Sequence, residues 1–204
     1  MTGGAEELRV PALVPALVLA AGGGSRLGGR PKALLPYRGR PLLEHVLGVA
    51  TDGGCDGAVA VLGAAAAEVR ARTATGDCRL VDNPDWRTGM ASSLLVGLAA
   101  LPPEATAVLV LLVDTPGVTA EAVRRLRAVH TARTDLAACA YAGHRAHPVL
   151  IGAAHFPFLR TTAAGDAGAR TLLASRPVTL VDCTGTGAPD DLDTPDDLTR
   201  WGID

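Results

Sequence analysis

Apolar runs recur along this chain at 16–21 (ALVLAA), 57–63 (GAVAVLG), 107–113 (AVLVLLV), 136–142 (LAACAYA), 148–152 (PVLIG) and 178–183 (VTLVDC). They are nearly unbroken Val, Leu and Ala without polar alternation, the pattern of strands buried on both faces of a mostly parallel sheet. Stretches that read as helices lie between and after them, at 41–51, 64–72, 92–101, 119–130 and 168–175. A last helix is expected after Thr194, where TPDDL offers an N-cap, a first-turn proline and acids at the positive helix end. Alternation of this kind predicts a single Rossmann-like, mostly parallel open α/β sheet with helices on both faces. We expect one domain over residues 1–204, with a core at about 14–201. In such sheets ligands bind beyond the carboxyl ends of the strands.

The composition narrows the partners. A net charge of −2 gives no field for nucleic acid or a membrane surface, so neither is expected and any anion site must be local. Cys55, Cys78, Cys139 and Cys183 stand far apart without metal-ligand spacing and read as free thiols of a reducing cytosol. VPALVPALVLAA has the look of a signal core. However, Glu6 and Glu7 precede it where positive charge is needed, Pro11 and Pro15 interrupt it, and it is too short to span a bilayer. A cytoplasmic protein is expected.

The first apolar run opens into LAAGGGSRLGGRPKALL (19–35). A dinucleotide fingerprint counted from Gly22 and Gly24 needs a third glycine where Leu27 stands, and a Walker loop needs Lys-Ser/Thr where Arg30 and Pro31 follow Gly29. Both fail, which also argues against a nicotinamide-dependent oxidoreductase. What remains is a plain glycine-rich turn or a different phosphate loop. The second reading fits backbone N–H groups after a buried strand, with Arg26 and Lys32 to follow phosphate oxygens. Asp114 ends the third run beside Thr115 and Pro116, either as a turn cap or as a carboxylate aimed into the crevice. PDDLDTPDDL (189–198) adds more carboxylates, most of them suited to capping or solvated surface. Phosphoryl chemistry needs only one or two to hold Mg²⁺ together with substrate phosphates.

The 19–35 stretch resembles the signature loop of nucleotidyltransferases that share the fold of the molybdenum cofactor and sugar-phosphate nucleotidylyltransferases, with Lys32 in the place of the signature lysine. NPDWRTGMASSLLVGLAAL (83–101), GHRAHPVLIG (143–152) and GDAGAR (165–170) follow in the family's order, and the resemblance covers about residues 16–201. Together they are similar to the molybdenum cofactor cytidylyltransferase branch. The resemblance implies a nucleotide-diphospho-sugar transferase-like sheet and Mg²⁺ on Asp114 and Asp193, with Asp191 a lesser candidate. It further implies a CTP site at Leu19, Ala20, Ala21, Gly22, Gly24, Arg26, Lys32, Asn83, Ser93 and Asp114. The double alanine leans toward cytidine. Acceptor contacts would come from His147, Asp166 and Arg170, and Trp86 either covers the site or packs its loop. Ala146 departs from the family's usual glycine.

The implied reaction moves CMP from CTP to the phosphate of molybdopterin, with Arg26, Lys32 and Asp114 as catalytic residues. The product's onward partner would be an apo-enzyme of the molybdenum hydroxylase kind. Two alternatives stand beside it: nucleotidyl transfer to another small phosphorylated acceptor, and a non-catalytic carrier of the finished cofactor.

Overall fold

The structure is a computed structural model and describes residues 12–203. Glu6, Glu7 and Pro11, on which part of the signal-segment argument turns, lie outside the described residues.

The chain runs β1 (Ala16–Ala20), β2 (Pro36–Tyr37), β3 (Arg40–Pro41), α1 (Leu42–Asp52), β4 (Ala58–Leu62), α2 (Ala66–Arg72), β5 (Arg79–Asp82) and α3 (Met90–Ala100). It continues through β6 (Ala107–Leu112), α4 (Ala120–Ala128), β7 (Leu136–Tyr141), β8 (His144–Gly152), α5 (Phe156–Thr162), α6 (Arg170–Ser175), β9 (Thr179–Asp182) and α7 (Pro195–Trp201). Seven strands form one sheet in the order β5-β4-β1-β6-β8-β7-β9, and β2 and β3 form a small separate ribbon. β1 pairs in parallel with β4 and β6, β4 with β5, and β7 with β9, whereas β8 is antiparallel to both its neighbours. The mostly parallel open α/β sheet expected from the sequence is the fold observed.

Successive β1 residues face opposite ways, and both sides are apolar because helices cover both. Ala16, Val18 and Ala20 join a core with Leu43 and Val46 of α1 and Val123 and Leu126 of α4. Leu17 and Leu19 join another with Leu94 and Leu98 of α3, Leu159 of α5 and Leu172 of α6. Helix α3 lies so close to the sheet that a Cβ on Gly97 would stand 2.3 Å from Leu17 Cδ1.

Three expectations need adjustment. Helix α5 and the edge strand β5 were not expected. β5 is a short run in which exposed Arg79 and Asp82 flank half-buried Leu80 and Val81, so its sequence lacks the unbroken apolar signature. The runs near 136–142 and 148–152 are not separated as in a βαβ unit. They form a hairpin whose turn residues Ala142 and Gly143 both have positive φ (50° and 80°), and β8 begins earlier, at His144, with exposed polar residues. β9 is an edge strand with Leu180 exposed, not a strand buried on both faces. A sheet margin needs only one covered face.

Candidate active site

A cavity of about 540 Å³ opens beyond the carboxyl ends of β1 and β6. β1 runs out into Ala21 and Gly22 on one wall, and β6 delivers Val113 and Asp114 to the floor. The opposite wall is the loop before α3 and its first turn, with Trp86, Gly89, Met90 and Ser93, and Asp166 reaches in from the turn at Gly165–Ala167.

The glycine loop is closed by its own backbone. Leu27 N–H and Gly29 N–H both donate to the Gly24 carbonyl at 2.8 and 3.0 Å. Gly24 has φ +60°, and a Cβ there would lie 2.0 Å from the Arg30 carbonyl oxygen, so no side chain fits. Gly24 therefore shapes the loop and does not line the cavity. Gly23 and Gly63 cradle Trp86: a Cβ on either would approach its side chain to 2.9 or 2.7 Å. The Arg87 guanidinium sits 4.4 Å from the centre of the Trp86 ring. Trp86 thus both packs its loop and faces the cavity.

Asp114 and Asp193 come from distant parts of the chain and meet on one cation. Lys32 Nζ donates to Asp114 Oδ2 at 2.7 Å and to Asp193 Oδ1 at 2.5 Å. The segments carrying the carboxylates are joined by Leu192 N–H donating to the Asp114 carbonyl at 2.8 Å. Burial disfavours charge on Lys32, but the carboxylates of Asp114 and Asp193 outweigh it and hold the lysine pKa above its ordinary value. Arg26 also reaches Asp193, at 3.2 Å, from a side chain that is 74% exposed.

The rest of the acidic cluster divides by role. Asp197 closes a capping box with Thr194 at the start of α7, and its Oδ2 also accepts from the Asp193 N–H at 3.1 Å. Asp190 pairs with Arg200 at 3.6 Å. Asp191 keeps solvent contact, yet desolvation by its surroundings and the neighbouring carboxylates Asp114 and Asp193 push it up to about 6.

Not every residue grouped by the sequence reading reaches the cavity. Leu19, Ala21, Gly22, Lys32, Ser93 and Asp114 line it. Ala20 turns into the α1 and α4 core instead, because strand residues alternate faces. Asn83 is 2% exposed and stands behind the wall, where its amide donates to Ser92 Oγ at 2.8 Å and Ser93 Oγ at 2.9 Å. It positions Ser93 and is not itself a lining group. Helix α3 starts at Met90, so Ser92 belongs to its first turn and is not its cap.

A smaller cavity of about 180 Å³ shares Met90 and Asp166 with the first and adds His147, Arg145 and Arg170. Burial keeps the His147 pKa low against the opposing pull of Asp114, so the ring is neutral near pH 7. No ion pair joins Asp166 to Arg170 among the described residues. Ala146 sits at an irregularity in the β7–β8 pairing without a positive φ, so nothing there requires glycine. Arg145 was missed by the sequence reading, as were Arg87 and Met90. The signal for Arg145 was its place two residues before His147, on the same side of a strand.

The donor set suits a hard divalent cation. Two carboxylates already converge on one positive charge, and such ions take one or two carboxylates plus substrate oxygens. Among the described residues no cluster of three His, Cys, Asp or Glu would hold a metal without such help.

The family profile described as "MobA-like NTP transferase domain" matches residues 16–180. Nicotine blue oxidoreductase of Paenarthrobacter nicotinovorans is 42% identical over 196 residues, covering 92% of this chain and 95% of that one. The crystal structure of Rv0371c from Mycobacterium tuberculosis H37Rv superposes with a TM-score of 0.83 at 36% identity, covering 94% of this chain and 98% of that one. A manganese complex of Rv0371c superposes at 0.80 with 34% identity, covering 93% and 98%. No helix among the described residues is long and apolar enough to cross a membrane.

Proposed function

The chain belongs to the MobA-like NTP transferase domain family, and from that premise we propose that it is a Mg²⁺-dependent cytidylyltransferase acting on a molybdopterin-type phosphate. It would work as a single catalytic domain in the cytoplasm and pass its product to a molybdenum hydroxylase apo-enzyme. The observation that carries the reading is the convergence of Asp114 and Asp193 on Lys32 at one end of a cavity bounded by the glycine loop.

In this reaction an oxygen of the acceptor phosphate attacks the α-phosphorus of CTP. The bond to the bridging oxygen breaks, and pyrophosphate leaves. A phosphate monoester is already largely ionised near neutral pH, so no general base is required. The chain's task is positioning and charge neutralisation. The Gly22 end of the loop lies along the triphosphate, Lys32 and Arg26 steady it, and Ser93, held by Asn83, meets the base. Asp166, Arg170 and neutral His147 orient the acceptor from the smaller cavity. A divalent cation on Asp114 and Asp193 would align the reacting oxygens and offset their charge. The manganese complex of Rv0371c supports a divalent-ion requirement. The test is pyrophosphate release with each of the four nucleoside triphosphates, with and without molybdopterin. CTP- and acceptor-dependent release is expected.

A second reading comes from the relative named as an oxidoreductase. The middle of the cavity, between Leu19, Trp86, Met90 and Leu112, is apolar enough to hold a flat heterocycle. The missing fingerprint glycine at position 27 excludes the Rossmann mode of dinucleotide binding, not every mode. Oxidation of a reduced nicotinamide dinucleotide by a heteroaromatic acceptor, with no pyrophosphate released from any triphosphate, would favour this reading over the first.

A further inference from the structure

We propose that Lys32 and a divalent cation compete for the Asp114–Asp193 pair, so that the cation binds well only when a polyphosphate draws Lys32 away. The inference rests on the nucleotidyltransferase reading and resolves a conflict within it. Lys32 is needed at the triphosphate, yet its ammonium is committed to both carboxylates at 2.7 and 2.5 Å.

The charges explain why the exchange must be coupled. Lys32 and Arg26 already offset the charges of Asp114 and Asp193 in the ion pairs they form. A divalent ion arriving alone has to share oxygens with an ammonium, and like charges at that separation repel. Lys32 is only 13% exposed, so water screens this repulsion poorly, whereas Arg26 at 74% exposure is well screened. A polyphosphate brings several negative charges, offers the ammonium a new partner and leaves the carboxylates to the metal.

Only the side chain has to move. The Lys32 backbone begins a 3₁₀ turn fixed by Leu34 N–H to the Pro31 carbonyl at 3.0 Å and Leu35 N–H to the Lys32 carbonyl at 3.1 Å. Its four-carbon stem carries a point charge with rotatable donors, and the ammonium shares one cavity with Gly22 of the loop. By linkage, whatever the polyphosphate adds to metal affinity, the metal adds to polyphosphate affinity.

The experiment is a Mn²⁺ titration, by electron paramagnetic resonance or calorimetry, of the wild-type protein, Lys32→Met, Lys32→Arg and Arg26→Ala. It is run without ligand, with CTP and with inorganic tripolyphosphate, and Mn²⁺ complexed in protein-free controls is subtracted. Lys32→Met is expected to tighten Mn²⁺ alone by about tenfold or more, Lys32→Arg to leave it near wild type, and Arg26→Ala to change it by less than about threefold. CTP should tighten Mn²⁺ on the wild type and much less on Lys32→Met. Lys32→Met that keeps the wild-type circular dichroism and binds Mn²⁺ no more tightly overturns the competition. Tightening by tripolyphosphate but not by CTP keeps the exchange and removes the nucleotide assignment. Tightening by neither on the wild type overturns the exchange itself.

Discussion

Asp114 and Asp193 share a lysine but are held differently. Asp114 leaves the end of a buried strand, whereas Asp193 hangs from the α7 cap, its N–H bound to Asp197. Asn at either position removes the charge that would hold a metal at the reacting phosphates, and turnover is expected to fall by on the order of 100-fold with the fold intact. From sequence alone Asp197 reads as a bystander, but its contact with Asp193 predicts more. Asp197→Asn should lower the melting temperature through the weakened cap and reduce turnover severalfold. Steady-state pyrophosphate release and thermal melts on the three variants check this, and equal mild losses would reduce the whole cluster to helix capping. Under the proposed cytidylyl transfer, base choice would be decided one residue into the loop. Ala21 is 6% exposed and lines the cavity, so its methyl takes up space that a glycine would leave open, which under this reading should disfavour a purine. If the backbone N–H and C=O groups of Ala20, Ala21 and Gly22 read the base edge, two unmade hydrogen bonds at about 1–3 kcal/mol each should favour CTP over GTP by at least about 30-fold in kcat/KM, and Ala21→Gly should narrow that gap by admitting GTP. Wild-type protein that uses the two equally well defeats the cytidylyl assignment. At this scale the sequence revealed which side chains carry charge, but not that Lys32 would sit on the carboxylates, because that contact joins residues 82 and 161 positions apart.

The wall of the cavity depends on two elements meeting backbone to backbone. Gly89, at the start of α3, has φ +119°, and a Cβ there would lie 2.3 Å from the Gly165 carbonyl carbon. Gly89→Ala therefore combines an unfavourable backbone conformation with a clash that the partner backbone cannot relieve. We expect a loss of about 2 kcal/mol or more in denaturant unfolding. Activity should fall further than stability explains, because Trp86, Ser93 and Asp166 lose their common frame. A variant as stable and active as wild type would show that the two segments are free to part. The family-like NPDW and GDAGAR stretches were legible in the sequence as separate motifs. Their contact was not, since nothing in either names its partner. The helices with apolar periodicity were legible to within about two residues, whereas β5 was lost because an edge strand need not be continuously apolar.

Across the whole molecule, the two apolar cores were readable because each central strand is apolar on both faces. The polar links between layers were not. His45 is one of these: 7% exposed on α1, with its Nε2–H facing the Pro116 carbonyl at 3.2 Å, just beyond Asp114. Burial holds its pKa below the usual value, and Arg40 and Arg38 add to the effect against the Pro116 bond. The unfolded chain takes up a proton at this position near pH 6.5, whereas the folded chain resists it. Stability contributed by His45 is therefore complete above about pH 6.5 and is lost as pH falls below that toward the depressed folded value. His147, also depressed, acts in the same direction. Asp191, raised to about 6, acts in the opposite one. Asp135, Asp182 and Asp197 have lowered pKa values, so their contributions persist until pH falls below the ordinary carboxylate range. The interval from about pH 6.5 to pH 5 thus isolates the histidines from those carboxylates. In that interval the wild-type melting temperature should fall with acidification. His45→Gln, whose amide still donates to Pro116 but does not titrate, should melt with a visibly smaller pH dependence, while Asp191 and His147 contribute equally to both proteins. Parallel melting curves for the two proteins across that interval would mean that His45 is protonated as easily in the fold as out of it, and that its bond to the turn after Asp114 does not depend on the neutral ring.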